Sequence, residues 1–165
     1  MKKIFMYLCA ASLFVAFSMN LNAQSSATAT GNAAARVIAP ITLTAGTTLH
    51  FGTVYNTGGT VIISTAGGRS GTCAVSAAAP AHSAGTFTIT GEPTLTYTTT
   101  LPVDGTVTIT DGTNTMDVDG FNSNASGTIP AGGSETFSVG ATLTVGVSQV
   151  TGAYTGTYNV TVQYN

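Results

Sequence analysis

The chain has 165 residues, of which 43% are hydrophobic and only 6% charged, and its formal net charge is −2. That length bounds it to about one domain, and so few basic groups exclude nucleic acid and anionic membrane as partners, since both need basic patches. Solubility must come from uncharged polar groups, above all from 32 threonines, whose β-branched side chains also favour strands.

Residues 1–23 read as a cleaved signal peptide. Lys2 and Lys3 form a basic start, residues 4–19 form an apolar run too short for a stable membrane span, and Ala23 offers the small residue a peptidase needs. Cleavage there predicts a secreted protein of the periplasm, the outer cell surface or the extracellular space. The processed chain keeps Arg36 and Arg69 against six carboxylates, a net charge of −4, and has no transmembrane span. Cys9 leaves with the signal, so Cys73 has no partner within the chain and reads as a small buried hydrophobe.

Residues 24–35 are small and polar and predict a flexible N-terminal arm. The domain is expected over residues 36–165. Val37, Ala39, Ile41 and Leu43 share one face of a first strand, and Pro40 among them marks an edge or a bulge. Residues 49–55 predict a second strand, 56–59 a turn, 60–64 a third strand, 67–71 a turn, 72–76 a fourth strand and 77–85 a loop. Alternation then returns over 86–90, 94–101, 106–110 and 115–119, with an irregular stretch at 120–133. Residues 135–145 read as one long strand bent or bulged at Gly140. The closing stretch, 152–165, alternates strictly: Gly152, Tyr154, Gly156, Tyr158, Val160, Val162 and Tyr164 fall on one face, with polar residues and Ala153 on the other. No window shows helical periodicity. The expectation is an all-β, immunoglobulin-like antiparallel sandwich of about nine or ten short strands with no helix after the signal.

Chemistry is sparse. His50 and His82 have no carboxylate near them in sequence, so neither a catalytic triad nor a zinc site is expected, and the chain does not read as an enzyme. Asp111, Asp117 and Asp119 lack the spacing and glutamate of an EF-hand and read as solvated residues around a hairpin. The Thr-x-Thr runs at 86–90, 94–100 and 106–110 read as ordinary solvent faces. No metal or other cofactor is expected.

Several of these motifs carry a resemblance. The run 36–44 with Leu49-His-Phe-Gly52, then Gly67-Gly-Arg69, residues 87–91, residues 137–145 and the closing stretch 152–164 resemble a family of secreted bacterial proteins known as domain of unknown function 4402. More loosely, the Leu-x-Phe-Gly near the start and the Gly-x-Tyr near the end look like spore-coat-U-like and chaperone–usher pilin domains, with Gly152 and Tyr164 in the places that frame a pilin's last strand. That likeness implies a structural or adhesive cell-surface subunit whose terminal strand (Gly152, Tyr154, Tyr158, Val160, Val162, Tyr164) pairs with a periplasmic chaperone and then with another subunit's N-terminal segment, by strand addition. Val37, Ile41 and Leu43 would form the N-terminal strand. The chain departs from the pilin pattern in lacking a disulfide and in carrying alanine, glycine and threonine in its arm. The alternative is a self-complete monomeric binding module for glycan or an envelope protein.

Overall fold

The computed structural model describes residues 26–165. The signal-peptide expectation lies outside the described residues. The chain divides into two compact units, Met1–Arg36 and Val37–Asn165. In the first unit the described residues, 26–36, are exposed and belong to no strand or helix.

The second unit is an all-β antiparallel sandwich of nine strands: β1 (Thr42–Ala45), β2 (Thr57–Ile63), β3 (Arg69–Gly71), β4 (Gly85–Thr90), β5 (Tyr97–Thr100), β6 (Val107–Thr110), β7 (Thr115–Ser123), β8 (Ser134–Val147) and β9 (Thr161–Tyr164). Seven strands form one sheet in the order β1-β4-β8-β2-β3, with β7 also on β8 and β6 on β7; β5 and β9 form a two-stranded sheet. Among the described residues no helix is long and apolar enough to cross a membrane.

β8 is the spine of the sheet. Its first half pairs with β4 (Phe137 opposite Phe87) and its second half with β2 (Leu143 opposite Val61). β7 lies along the other edge, since Val139 and Leu143 each have a second partner there, Ser123 and Val118. Alternation puts Phe137, Val139, Ala141, Leu143 and Val145 on one face, and all five are buried. That face runs through two apolar clusters. One gathers Val61, Ile63, Met116, Val118, Leu143 and Val145. The other gathers Ile89, Tyr97, Ile129, Phe137 and Val139, with Ile41, Leu43, Val160, Val162 and Tyr164 packed on it, so β5 and β9 cover this cluster, along the first half of β8. Tyr158 touches both clusters: its ring meets Phe87 edge-on at 6.0 Å and Phe121 at 5.2 Å.

Several expected elements take other forms. The first strand begins at Thr42 rather than Arg36, because at Ala39 the backbone is held by side chains: its N–H donates to Glu92 Oε2 (3.2 Å) and its C=O accepts from Tyr164 Oη (3.0 Å). Val37, expected on the buried face, is 92% exposed. Residues 49–55 form no ladder, only bridges from His50 to Ser83 and from Val54 to Val75, because Gly52 at φ +79° breaks the extended path. The strand expected at 72–76 is reduced to that bridge at Val75, and the turn expected at 67–71 instead supplies β3. The turn expected at 56–59 opens β2, with Thr57 opposite Val147. β7 runs on to Ser123, and the bulge expected at Gly140 sits in the partner strand, between Asp119 and Asn122, where Gly120 has φ +60°. Of the closing stretch only Thr161–Tyr164 is laddered, paired with Tyr97–Thr100. Its alternation still holds in burial, since Tyr154, Tyr158, Val160, Val162 and Tyr164 are half-buried and their neighbours exposed.

Two polar arrangements fix the loops around this core. The Asp104 carboxylate accepts from the Gly120 N–H (2.8 Å) and the Asp119 carboxylate from the Gly105 N–H (2.7 Å), a reciprocal clasp between the loop before β6 and the bulge of β7. Glu135 accepts from Tyr97 Oη (2.7 Å), Ser126 Oγ (2.7 Å) and the Ser126 N–H (2.8 Å). Burial alone would push the Glu135 carboxyl up; the hydrogen bonds from Tyr97 and Ser126 outweigh it and hold the group below its ordinary range. Burial, then the bond to Glu135, pushes the Tyr97 hydroxyl up.

Candidate strand-binding groove

Two segments that belong to no ladder, 48–56 and 149–156, flank a groove over the first apolar cluster. Its larger part, of about 440 Å³, lies between residues 48–54 and 152–156, with Ile109, Met116 and Leu143 at its floor. A smaller part, of about 210 Å³, continues it between residues 54–56 and 149–154 and shares Val54, Met116, Gly152 and Tyr154 with the first. The two walls therefore run in opposite directions. Met116 and Leu143 are buried, but Leu49, Val54, Ile109 and Tyr154 are only half-covered because the groove leaves them facing solvent.

The backbone of each wall is satisfied on one edge. On the first wall, the N–H and C=O of His50 exchange hydrogen bonds with Ser83 (2.8 Å each). In an antiparallel pair the flanking residues point their polar groups the other way, so Leu49 turns its N–H and C=O, and Phe51 its N–H, away from Ser83. These groups have no backbone partner among the described residues. Arg69 braces this wall from behind, its guanidinium donating to the carbonyls of Phe51 (3.3 Å), Thr53 (3.5 Å) and Ser76 (2.9 Å). The Gly52 N–H donates to His50 Nδ1 (2.8 Å), and a Cβ at Gly52 would stand 2.5 Å from the Arg69 guanidinium, so this bend needs glycine.

On the second wall, Thr155 exchanges hydrogen bonds with Thr110 of β6 (2.9 Å each), which leaves the N–H and C=O of Tyr154 and Gly156 on the opposite edge without a backbone partner among the described residues. Gly156 lets this wall lie close to β6, since a Cβ there would be 2.5 Å from the Thr108 carbonyl. Tyr154 Oη donates to the Val150 carbonyl (2.8 Å) and accepts from Gln149 Nε2 (3.0 Å), pinning the far end. No Asp, Glu, Lys or Arg lines either part of the groove. Such a site can pair with an extended backbone and receive small apolar side chains; it holds no acid–base pair.

The residues singled out from the sequence thus separate into two places. Gly152 and Tyr154 line the groove, Tyr158 joins the two clusters, and Val160, Val162 and Tyr164 pack on the second cluster, where β9 is paired with the chain's own β5. Ile41 and Leu43 pack there too, while Val37 stands apart in solvent. Tyr164 Oη accepts from the Glu92 N–H (2.6 Å), which anchors the last turn of chain. Sequence reasoning gave residues 48–54 no functional role; the alternation of Leu49 and Phe51 marked an inward face but carried no sign that the segment's edge is unpaired.

The remaining candidates have structural roles. Asp111 closes the β6–β7 hairpin, its carboxylate accepting from the N–H groups of Asn114 (2.7 Å) and Thr113 (2.9 Å) and from Asn114 Nδ2 (3.0 Å). Those bonds, Asn114's first, lower its pKa to about 2. Among the described residues no three His, Cys, Asp or Glu side chains gather in a way that could hold a metal ion. Cys73 is buried and free, and its thiol donates to the Tyr55 carbonyl (3.2 Å). Threonine hydroxyls on the outer face bond one another across strands, Thr42 with Thr90 (2.6 Å) and Thr88 with Thr136 (3.0 Å).

Fold and groove together define an all-β sandwich domain with one unpaired slot over half of its core. The chain belongs to the family described as Domain of unknown function (DUF4402), whose model matches residues 41–164. The comparisons with curated proteins and with solved structures give no match.

Proposed function

We propose that this protein is a secreted structural or adhesive subunit of the cell surface, pilin-like, that assembles by β-strand addition. The observation that carries this reading is the groove: two oppositely running segments present unpaired backbone groups along a slot floored by apolar side chains. A strand placed there would satisfy both edges and bury Leu49, Val54 and Tyr154 further, which is how strand addition gains affinity from the main chain and register from alternate side chains. The absence of charged side chains from the slot fits a neutral segment better than a charged ligand.

A second reading, a self-complete monomeric binding module, draws support from β9, which already pairs with β5 and closes the second cluster without help. Oligomeric state separates the two. Purified secreted protein is examined on unboiled denaturing gels and by sedimentation over a range of concentrations. Strand addition predicts a ladder of detergent-resistant multimers that collapses on boiling. A cooperatively folding species that stays monomeric at every concentration would refute it in favour of the second reading.

A further inference from the structure

We infer that the Arg36–Val37 bond is a processing site for an arginine-specific endoprotease, which trims the chain to its sandwich. The inference goes beyond the strand-addition reading and does not depend on it.

Composition makes the choice of bond narrow. The sequence has four basic residues, Lys2, Lys3, Arg36 and Arg69, so a protease whose pocket holds a carboxylate for a cationic side chain meets only two sites after residue 3. The structure gives those two sites opposite settings. From Ser26 to Pro40 every residue, Arg36 included, is exposed, and none belongs to a strand or helix. Val37, on the other side of the bond, is 92% exposed. Proteolysis goes to exposed backbone outside any ladder, because elsewhere the chain must open before it fits a protease cleft.

Arg69 offers neither its backbone nor its side chain. It pairs with Ile63 at the start of β3, and its guanidinium donates to the carbonyls of Phe51, Thr53 and Ser76. A cut there requires β3 to leave β2 first, a local unfolding that the bond after Arg36 does not need.

The bond is also where the domain begins. The chain passes there from one compact unit, ending at Arg36, to the other, starting at Val37. Ala39, whose N–H and C=O are held by Glu92 and Tyr164, follows two residues later, so a chain that starts at Val37 keeps the anchor leading into β1. The family's match starts at residue 41, and the piece removed lies wholly outside it. In the step itself water adds across the amide: Arg36 leaves with the new carboxylate, and Val37 keeps the new amine.

The test has two arms. The protein is purified from the cells that naturally make it and weighed intact by mass spectrometry. A first residue of Val37 is expected, whereas the Arg36→Gln variant made in the same cells should keep residues 26–36. A natural protein that retains residues ahead of Val37 overturns the inference, as does an Arg36→Gln variant that still begins at Val37. In the second arm, the chain with residues 1–23 removed is made in a host lacking such a protease and treated with trypsin as the probe. A product of residues 37–165 should accumulate, with cleavage after Arg36 about a hundredfold or more faster than after Arg69, and it should melt as cooperatively as the uncut chain. Cleavage after Arg69 at a comparable rate, or a trimmed product without a cooperative melt, overturns the inference.

Discussion

The two halves of the core share one strand and differ in how they are finished. Around the first half of β8, Ile89, Ile129, Phe137 and Val139 are at most 1% exposed, and β5, β9 and the ring of Tyr164 close the layer. Around the second half, Val61, Ile63 and Leu143 are as well buried, yet Leu49, Val54 and Tyr154 beside them face a groove. The difference lies in the backbone rather than in hydrophobicity: the first half has a laddered pair of strands over it, the second has two walls each joined on a single edge. An apolar core can be complete while the hydrogen bonding of the segments above it is not.

The largest expected effect breaks the closed half. Phe137→Ala removes a ring 1% exposed and stacked on Phe87 at 5.7 Å, and should cost about 3–5 kcal/mol in thermal or denaturant unfolding. Next, Val162→Asp places a charge on the half-buried face of β9 and should cost about 2–3 kcal/mol. Thr161→Asp, one residue away on the exposed face, should stay within about 0.5 kcal/mol. Equal losses at the two positions, measured as yield of folded protein and melting temperature, would mean that β9 is not seated on the second cluster.

A smaller effect is expected at Glu135. Its folded-state pKa lies below the ordinary value of 4.5, so it contributes stability that is present above that value and is lost as pH falls through the folded pKa. Glu135→Gln should cost about 1 kcal/mol at neutral pH and flatten the acid limb of the stability profile; an unchanged acid limb would show that the carboxylate gains nothing from Tyr97 and Ser126. The most local effect belongs to the groove. Arg69→Met removes the brace behind Phe51 and Thr53 and should cost about 1–2 kcal/mol. It should raise hydrogen exchange at His50, Tyr55 and Ser76, whose N–H groups bond Ser83, Ala74 and Thr53, while leaving Ile89 and Phe137 protected. Uniform deprotection of both halves would show that the wall and the closed core open together.

Much of the fold was legible where a strand is long and half-buried. Residues 135–145 and 86–90 alternate because one face of each meets the core, and β8 and β4 lie there. Even where the closing stretch lacks a ladder, its alternation gave the inward face of Tyr154, Tyr158, Val160, Val162 and Tyr164. Period-two patterning reports which side of a segment is covered and is silent on what lies at its edges. That is why residues 49–55 read as a strand although they have only two bridges, and why the groove escaped the sequence: its walls lie about a hundred residues apart in the chain. The bulge was misplaced for a related reason. Gly140 is a plausible bend in its own strand, but the extra residue sits across the ladder at Gly120 and Phe121, where only the pairing shows it.

The position of β8 in the chain has a consequence for how the protein is made. β2, β4 and β7 all find their partner in a strand that begins at Ser134, so no main sheet can form while the chain emerges until four fifths of it is out. Pairing so distant in sequence is slow to nucleate and exposes strand edges in the meantime. Assembly of the main sheet therefore waits for β8, and β2, β4 and β7 each keep an edge open until it arrives.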